Sequence, residues 1–188
     1  MGVVGIKDCG APIFIGTKFG GGKIGIGVLF SNCDQLKFFN MKPGIDYIGI
    51  STPFYCNDGQ GRFLLHKRSK NCRDEHGRWD PGSGQLDFGC TPEENVLREL
   101  MEEYGCSGAI QERLPAHSIF REQNGQKTHW LVIPFFVKVD LREVKNNEPD
   151  KIDEIGWFDL DHLPAPLHSG FQFTLSRYKE YFEKYKKK

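Results

Sequence analysis

Four residues that could do chemistry crowd one stretch of this chain: Arg98, Glu99, Glu102 and Glu103. On an α-helix, residues three and four apart are neighbours, so Glu99 would lie beside both Glu102 and Glu103. Like charges at that spacing cost roughly 0.2–0.5 kcal/mol per pair in water. The bland explanation is a solvated acidic face that Arg98 partly balances. The chemical explanation is a site for a hard cation, because Mg²⁺ and Mn²⁺ take oxygen ligands and clustered carboxylates supply them. A diphosphate needs such an ion to offset its charge and to orient an attacking water.

These residues need a helix, and residues 91–105 signal one at both ends. Thr91 can cap it, Pro92 suits the first helical position, and Glu94 completes a capping box. Gly105 suits the stop, where a left-handed conformation is common. At about 100° per residue, Val96, Leu97, Leu100, Met101 and Tyr104 fall in one arc of about 140°, and Arg98, Glu99, Glu102 and Glu103 in another. The expectation is one packed face and one face that presents all three carboxylates. Strand-like runs at 46–51, 53–56 and 63–66 come before the helix, followed by a polar loop at 69–77 and a short alternating strand at 85–88. After it, 130–139 reads as one long central strand, 155–158 as a short strand and 163–166 as a turn. Leu175, Tyr178, Phe182 and Tyr185 recur at helical spacing and predict a single helix over 171–186.

The first 44 residues differ from the rest, being rich in Gly and Ile and poor in acids. Apolar runs at 12–15 and 24–30 flank Gly20-Gly21-Gly22, which predicts a β-hairpin. The spacing Gly20-x-Gly22-x-x-Gly25 matches a dinucleotide fingerprint by letter, but no helical pattern follows it. The domain division is therefore 1–44 as a Gly-rich extension and 45–188 as the main domain. Lys and Arg total 25 against 25 for Asp and Glu, with a pI near 7.0, so the basic excess typical of nucleic-acid binders is missing. None of the six cysteines forms C-x-x-C, and reduced thiols in a soluble, cytoplasmic protein are the expectation. The six histidines show no metal-ligand spacing.

Residues 84–106 resemble the Nudix box, G-x5-E-x7-R-E-U-x-E-E-x-G-U, where U is a bulky apolar residue. Gly84 matches its first position, and Arg98-Glu99-Leu100-x-Glu102-Glu103-x-Gly105 matches its helix without a gap. The lead-in from Trp79 to Gly89 is similar as well, as are Leu64-Leu65-His66-Lys67-Arg68 and the Glu148–Lys151 and Ile155–Phe158 segments, so the resemblance spans about 46–163. It implies an α/β fold, the Nudix α/β/α sandwich with a mixed sheet between helices. The implied activity is metal-dependent hydrolysis of the diphosphate of a nucleoside diphosphate derivative or nucleoside triphosphate. Glu99, Glu102 and Glu103 would hold Mg²⁺ (or Mn²⁺), Arg98 would orient them, and Arg68 with Lys67 would contact phosphate. The general base would come from a helix glutamate or from Asp153 or Glu154. The partner is a small nucleotide-like molecule, with no nucleic acid and no membrane.

The sequence departs from the box at two positions. Cys90 stands where the box has its first Glu, which usually pairs with the arginine, so Asp87 or Glu94 is expected to take over that pairing and Cys90→Glu to raise metal affinity or thermal stability. Cys106 replaces a bulkier apolar residue, a mild change. Two rivals follow from the same residues. One is a non-catalytic nucleotide-binding module, suggested by Cys90. The other is an isopentenyl-diphosphate-isomerase-like enzyme, for which the needed histidines and cysteine are not evident. By family analogy, the N-terminal hairpin leans towards strand pairing across a homodimer.

Overall fold

The computed structural model describes residues 13–18, 24–29, 37–39, 41–123 and 125–186. The glycine turn at 20–22, Cys9, Cys33 and the last two lysines lie outside them. Strands β1 (Ile13–Lys18), β2 (Ile24–Leu29) and β3 (Lys37–Phe39) form an antiparallel sheet in that order, with Ile13 opposite Leu29 and Ile26 opposite Phe39.

The larger, nine-stranded sheet is built around β4 (Gly49–Asn57) and β5 (Arg62–Arg68). Around them lie β6 (Trp79–Asp80), β7 (Gly82–Gln85), β8 (Gly108–Arg113), β9 (His117–Gln123), β10 (Gln126–Val132), β11 (Phe135–Val139) and β12 (Ile152–Asp159). Helix α1 (Pro92–Tyr104) follows β7, and α2 (Ser169–Arg177) and α3 (Lys179–Glu183) close the chain. The sheet is mixed: β10 and β11 both run parallel to β4, and most other pairings are antiparallel.

Side chains alternate across a strand, and here both faces are apolar. Phe54, Cys56, Leu64, Phe135, Val137 and Val139 meet Val96, Leu100 and Tyr104 of α1 on one face. Tyr55, Phe63, Leu65 and Phe136 meet Phe171, Tyr178 and Phe182 of the C-terminal helices on the other. Helices on both faces of a mixed sheet make the expected sandwich.

Several boundaries differ from the sequence reading. The runs at 46–51 and 53–56 merge into one strand, β4, whereas the run at 130–139 splits at Ile133-Pro134. Pro134 has no N–H to give the ladder, and with Pro53 also lacking one, the pairing of Val132 with Ser51 resumes only at Phe135 with Phe54. Beyond that break the chain changes its second partner from β9 to β8. The strand expected at 85–88 lies earlier, at Gly82–Gln85. The C-terminal helix is two helices, interrupted at Tyr178, whose φ and ψ are −117° and 31°. The Tyr178 hydroxyl donates to the Pro115 carbonyl oxygen at 2.8 Å, so a tertiary contact is made where the helix breaks. Among the described residues, no helix is long and apolar enough to cross a membrane.

Candidate active site

Helix α1 begins and ends as its sequence requires. The Thr91 hydroxyl accepts from the Glu94 N–H at 3.2 Å, the Glu94 carboxylate accepts from the Thr91 N–H at 2.8 Å, and Gly105 stops the helix at φ 58°. Its orientation is less expected. Asn95, Val96, Leu100, Glu103 and Tyr104 are buried, and the Glu99 side chain is only 15% exposed. At 100° per residue these positions fill one half of the helix. Leu97 and Met101, read from the sequence as packed, are 42% and 49% exposed. The buried half is therefore centred roughly 80° away from the apolar arc, towards the acids. The helix turns two of the three box glutamates, Glu99 and Glu103, inward, leaving Leu97 and Met101 outside.

Glu99 and Glu103 lie along the tripeptide Gly82-Ser83-Gly84 of β7. A Cβ on Gly84 would collide with Cγ and Cδ of Glu99, and one on Gly82 would meet Phe54 and the Glu103 carboxylate. The Ser83 N–H donates to both Glu103 oxygens, at 3.4 and 3.3 Å. Glu103 is 8% exposed and pairs with no cationic side chain among the described residues. Burial, then the Glu99 charge, hold its carboxyl well above the ordinary carboxylate range, and burial raises Glu99 as well. Glu102 lines the same cleft but is half-exposed, and accepts from Arg98 Nη1 at 2.9 Å. Among the described residues, no three carboxylate, imidazole or thiol groups converge on one point. The sequence placed all three glutamates as ligands, with Glu99 and Glu103 most direct; the structure lays those two along β7 and leaves Glu102 half-exposed and paired with Arg98.

Arg98 holds this face. Its Nη2 donates to Asn95 Oδ1 and Glu99 Oε1, both at 2.7 Å, and lies 3.0 Å from Asp87 Oδ2. Asn95 is fully buried and also donates to Thr52 Oγ1 at 2.8 Å, which ties the arginine to β4. Asp87 thus supplies the carboxylate that Cys90 lacks, while Glu94 is spent on the cap. We therefore expect Cys90→Glu alone to shift stability by less than about 0.5 kcal/mol, since Arg98 already has its acceptors. In an Asp87→Ala background the same change is expected to restore what the deletion lost. A double-mutant cycle of melting temperatures measures this.

The glutamates line a cleft of about 840 Å³, within the range of ligand pockets. Arg68, Arg73, Arg121 and Lys151 also line it, as do Asp80, Glu148, His66 and His168. Arg68, the expected phosphate ligand, is already engaged: Nη2 meets Asp74 Oδ1 at 2.8 Å and Nη1 meets Asp80 Oδ2 at 3.2 Å. Lys67 is the next residue along β5, so it points to the opposite face, and it does not line the cleft. Asp153 and Glu154 are exposed on β12, the edge strand, and do not line it either. Glu148 does, bonded to Lys151 Nζ at 2.5 Å. Sequence reasoning noticed the Glu148–Lys151 segment but assigned it no role, because nothing in its residue types separates it from the acids that follow.

On the cleft floor, His66 Nδ1 lies 2.7 Å from the buried Tyr104 hydroxyl. Burial, with Arg68 and His168 nearby, lowers its pKa to about 3, so the ring stays neutral. We expect Tyr104→Phe, which strands that ring nitrogen, to cost about 1–3 kcal/mol in urea unfolding.

Comparison with known proteins agrees with this site. Residues 49–178 match the NUDIX domain family model. An RNA pyrophosphohydrolase of Gluconacetobacter diazotrophicus is 30% identical over 137 residues, covering 64% of this chain and 81% of that protein. The crystal structure of a MutT NUDIX hydrolase from Burkholderia pseudomallei is similar at 28% identity and a TM-score of 0.61, over 69% of this chain and 97% of that one. A NUDIX hydrolase from Nitrosomonas europaea shares the fold at 15% identity and a TM-score of 0.60, over 93% of this chain and 89% of that one. The box helix, the cleft it lines and these matches agree, and the chain belongs to the Nudix hydrolase family.

Proposed function

We propose that this protein is a divalent-metal-dependent pyrophosphohydrolase that cleaves the diphosphate of a nucleoside diphosphate derivative or nucleoside triphosphate. The observation that supports this most is Glu103, a buried carboxylate in a ligand-sized cleft with only the Ser83 N–H for a partner among the described residues. A buried anion without a cation is costly, and Glu99 brings a second oxygen donor beside it. This donor set fits Mg²⁺ or Mn²⁺. When bound, the ion would offset phosphate charge and lower the pKa of a water.

The chain's own residues take the remaining roles. Glu99 and Glu103 would hold the ion, and Arg98 would orient Glu99. Glu102 would act from the outer side, through Arg98. Glu148, rather than Asp153 or Glu154, is positioned to accept the proton of the attacking water, with Lys151 holding its carboxylate in place. Lys151 and Arg121 also line the cleft and would contact the diphosphate. Arg68 would reach phosphate only by exchanging a carboxylate partner.

The test is phosphate and nucleotide release, with Mg²⁺ or Mn²⁺, from a panel of nucleoside triphosphates, nucleoside diphosphate derivatives and a 5′-triphosphorylated oligoribonucleotide. The last is included because one relative is named an RNA pyrophosphohydrolase. Turnover by the native protein that disappears in Glu103→Gln is the expected result. Nucleotide binding without turnover across the panel would overturn it in favour of a binding module.

A further inference from the structure

The loop at 69–77 places one arginine where the hydrolase reading does not need it. Arg68 and Arg121 line the same cleft and are held by carboxylates, Arg121 lying 3.1 Å from Glu75 and 3.6 Å from Asp74. Arg73 is different. Its side chain is 61% exposed, and the nearest carboxylate oxygen, on Asp74, is 3.9 Å away. Alone among the described arginines lining the cleft, it donates no hydrogen bond. Its guanidinium instead lies over the Trp130 ring, 4.8 Å from the centroid.

Trp130 is fixed. A Cβ on Gly44 or on Gly49 would overlap the indole, so these glycines leave room for the ring and their backbone packs against it. The ring is 7% exposed, and Arg73 covers the side that looks into the cleft. A rigid indole is thus capped by an unanchored planar cation at the mouth of a site for charged phosphates. Phe88, 96% exposed, and Tyr47 line the same cleft.

The loop that carries Arg73 is tied to the loop that carries Glu148 and Lys151. Ser69 Oγ and Asn71 Nδ2 donate to the Asp150 carbonyl oxygen at 2.7 and 3.0 Å, and the Ser69 N–H donates to the Lys151 carbonyl oxygen at 2.8 Å. A group held by Arg73 is therefore held in register with the proposed proton acceptor.

We propose that Arg73 on Trp130 is a nucleobase platform: the heterocyclic base of the substrate stacks on the guanidinium plane, which the indole backs. This rests on the nucleotide reading above and adds which end of the substrate is recognised, and by what. Guanidinium planes and aromatic faces both stack on bases, and every base offers a π-face.

The test separates base from phosphate and needs no turnover. Calorimetric titrations with Mg²⁺ would compare adenosine, guanosine and uridine 5′-methylenediphosphonates with methylenediphosphonate alone. Arg73→Ala is expected to weaken at least one nucleoside analogue by about tenfold and to leave methylenediphosphonate within twofold. Arg73→Lys keeps the charge but not the plane, and is expected to lose nearly as much. Arg73 is exposed, so both variants should melt like the native protein. Equal weakening of base-bearing and base-free ligands would make Arg73 a phosphate contact and overturn the platform, as would no weakening, or a native protein that binds all four ligands alike. Those results leave the hydrolase reading standing, because the release panel alone decides it.

Discussion

Replacing Glu103 by Gln is expected to remove most of the activity while making the metal-free protein harder to melt at pH 8. The two effects share one cause. Burial holds the native Glu103 carboxyl well above its ordinary range, so above that range the fold must carry a buried charge with one weak donor or take up a proton, and either costs stability. A carboxyl whose pKa is raised by folding contributes stability that is complete below its unfolded pKa and is lost as the pH rises through its folded pKa. Above that range the native, metal-free protein carries the burden of the buried charge, and the glutamine does not. The gain should shrink as the pH falls towards about 4.5, the ordinary range for glutamate. Comparing the two proteins cancels other titrations, including that of His66. Added Mg²⁺ should raise the melting temperature of the native protein by mass action and that of the variant little. Activity should fall by roughly two to three orders of magnitude in kcat, the scale of losing one group that stabilises charge at a reacting centre. A metal-free variant that melts lower than the native protein at pH 8 would sink this account.

Gly84→Ala is expected to cut activity about a hundredfold without harming the fold. The three atoms nearest the added methyl are Cγ, Cδ and Oε1 of Glu99, the flexible end of a side chain. Glu99 can swing away, and alanine restricts the unfolded chain, a gain of about 0.4–1 kcal/mol where the backbone is compatible. Stability should be unchanged or slightly higher. The carboxylate, however, no longer lies along β7 beside Glu103, and displacement of a positioned group by about 1 Å can cost 10²-fold. We expect kcat/KM to drop by about that factor. Gly82→Ala is the contrast. There the methyl meets the Phe54 ring, fully buried in the core, as well as Glu103. That variant should lose about 1–3 kcal/mol from overpacking together with its activity. Urea midpoints beside steady-state kinetics separate the two glycines, and equal destabilisation of both would refute the distinction.

Much of this site could be read from residue types and spacing alone. The helix ends are written in Thr91, Pro92, Glu94 and Gly105, because capping is local chemistry within four or five residues. The box pattern names Arg98 and the glutamates for the same reason: one helix carries them, and helical geometry fixes their spacing. The two-faced sheet is also visible in the apolar runs that become β4, β5 and β11.

What the sequence could not supply depends on distance in space. Which half of α1 is buried is decided by β7, whose glycines let the helix approach with its acids inward, so periodicity alone chose the wrong arc for Leu97, Met101 and Glu103. The replacement for the missing box glutamate is Asp87, eleven residues from Arg98 along the chain but 3.0 Å away in the fold. Arg68 and Lys67 looked equivalent as adjacent basic residues until strand alternation separated their faces. Asp153 and Glu154 were the loop acids that the sequence named, and Glu148 was not, but the sheet puts those two on an outer edge and Glu148 on the cleft. Local chemistry is set by sequence neighbours, and here it determined the helix and its reactive groups. Which of those groups meet, and what faces them, was set by packing between segments far apart in the chain, which only the tertiary structure could decide.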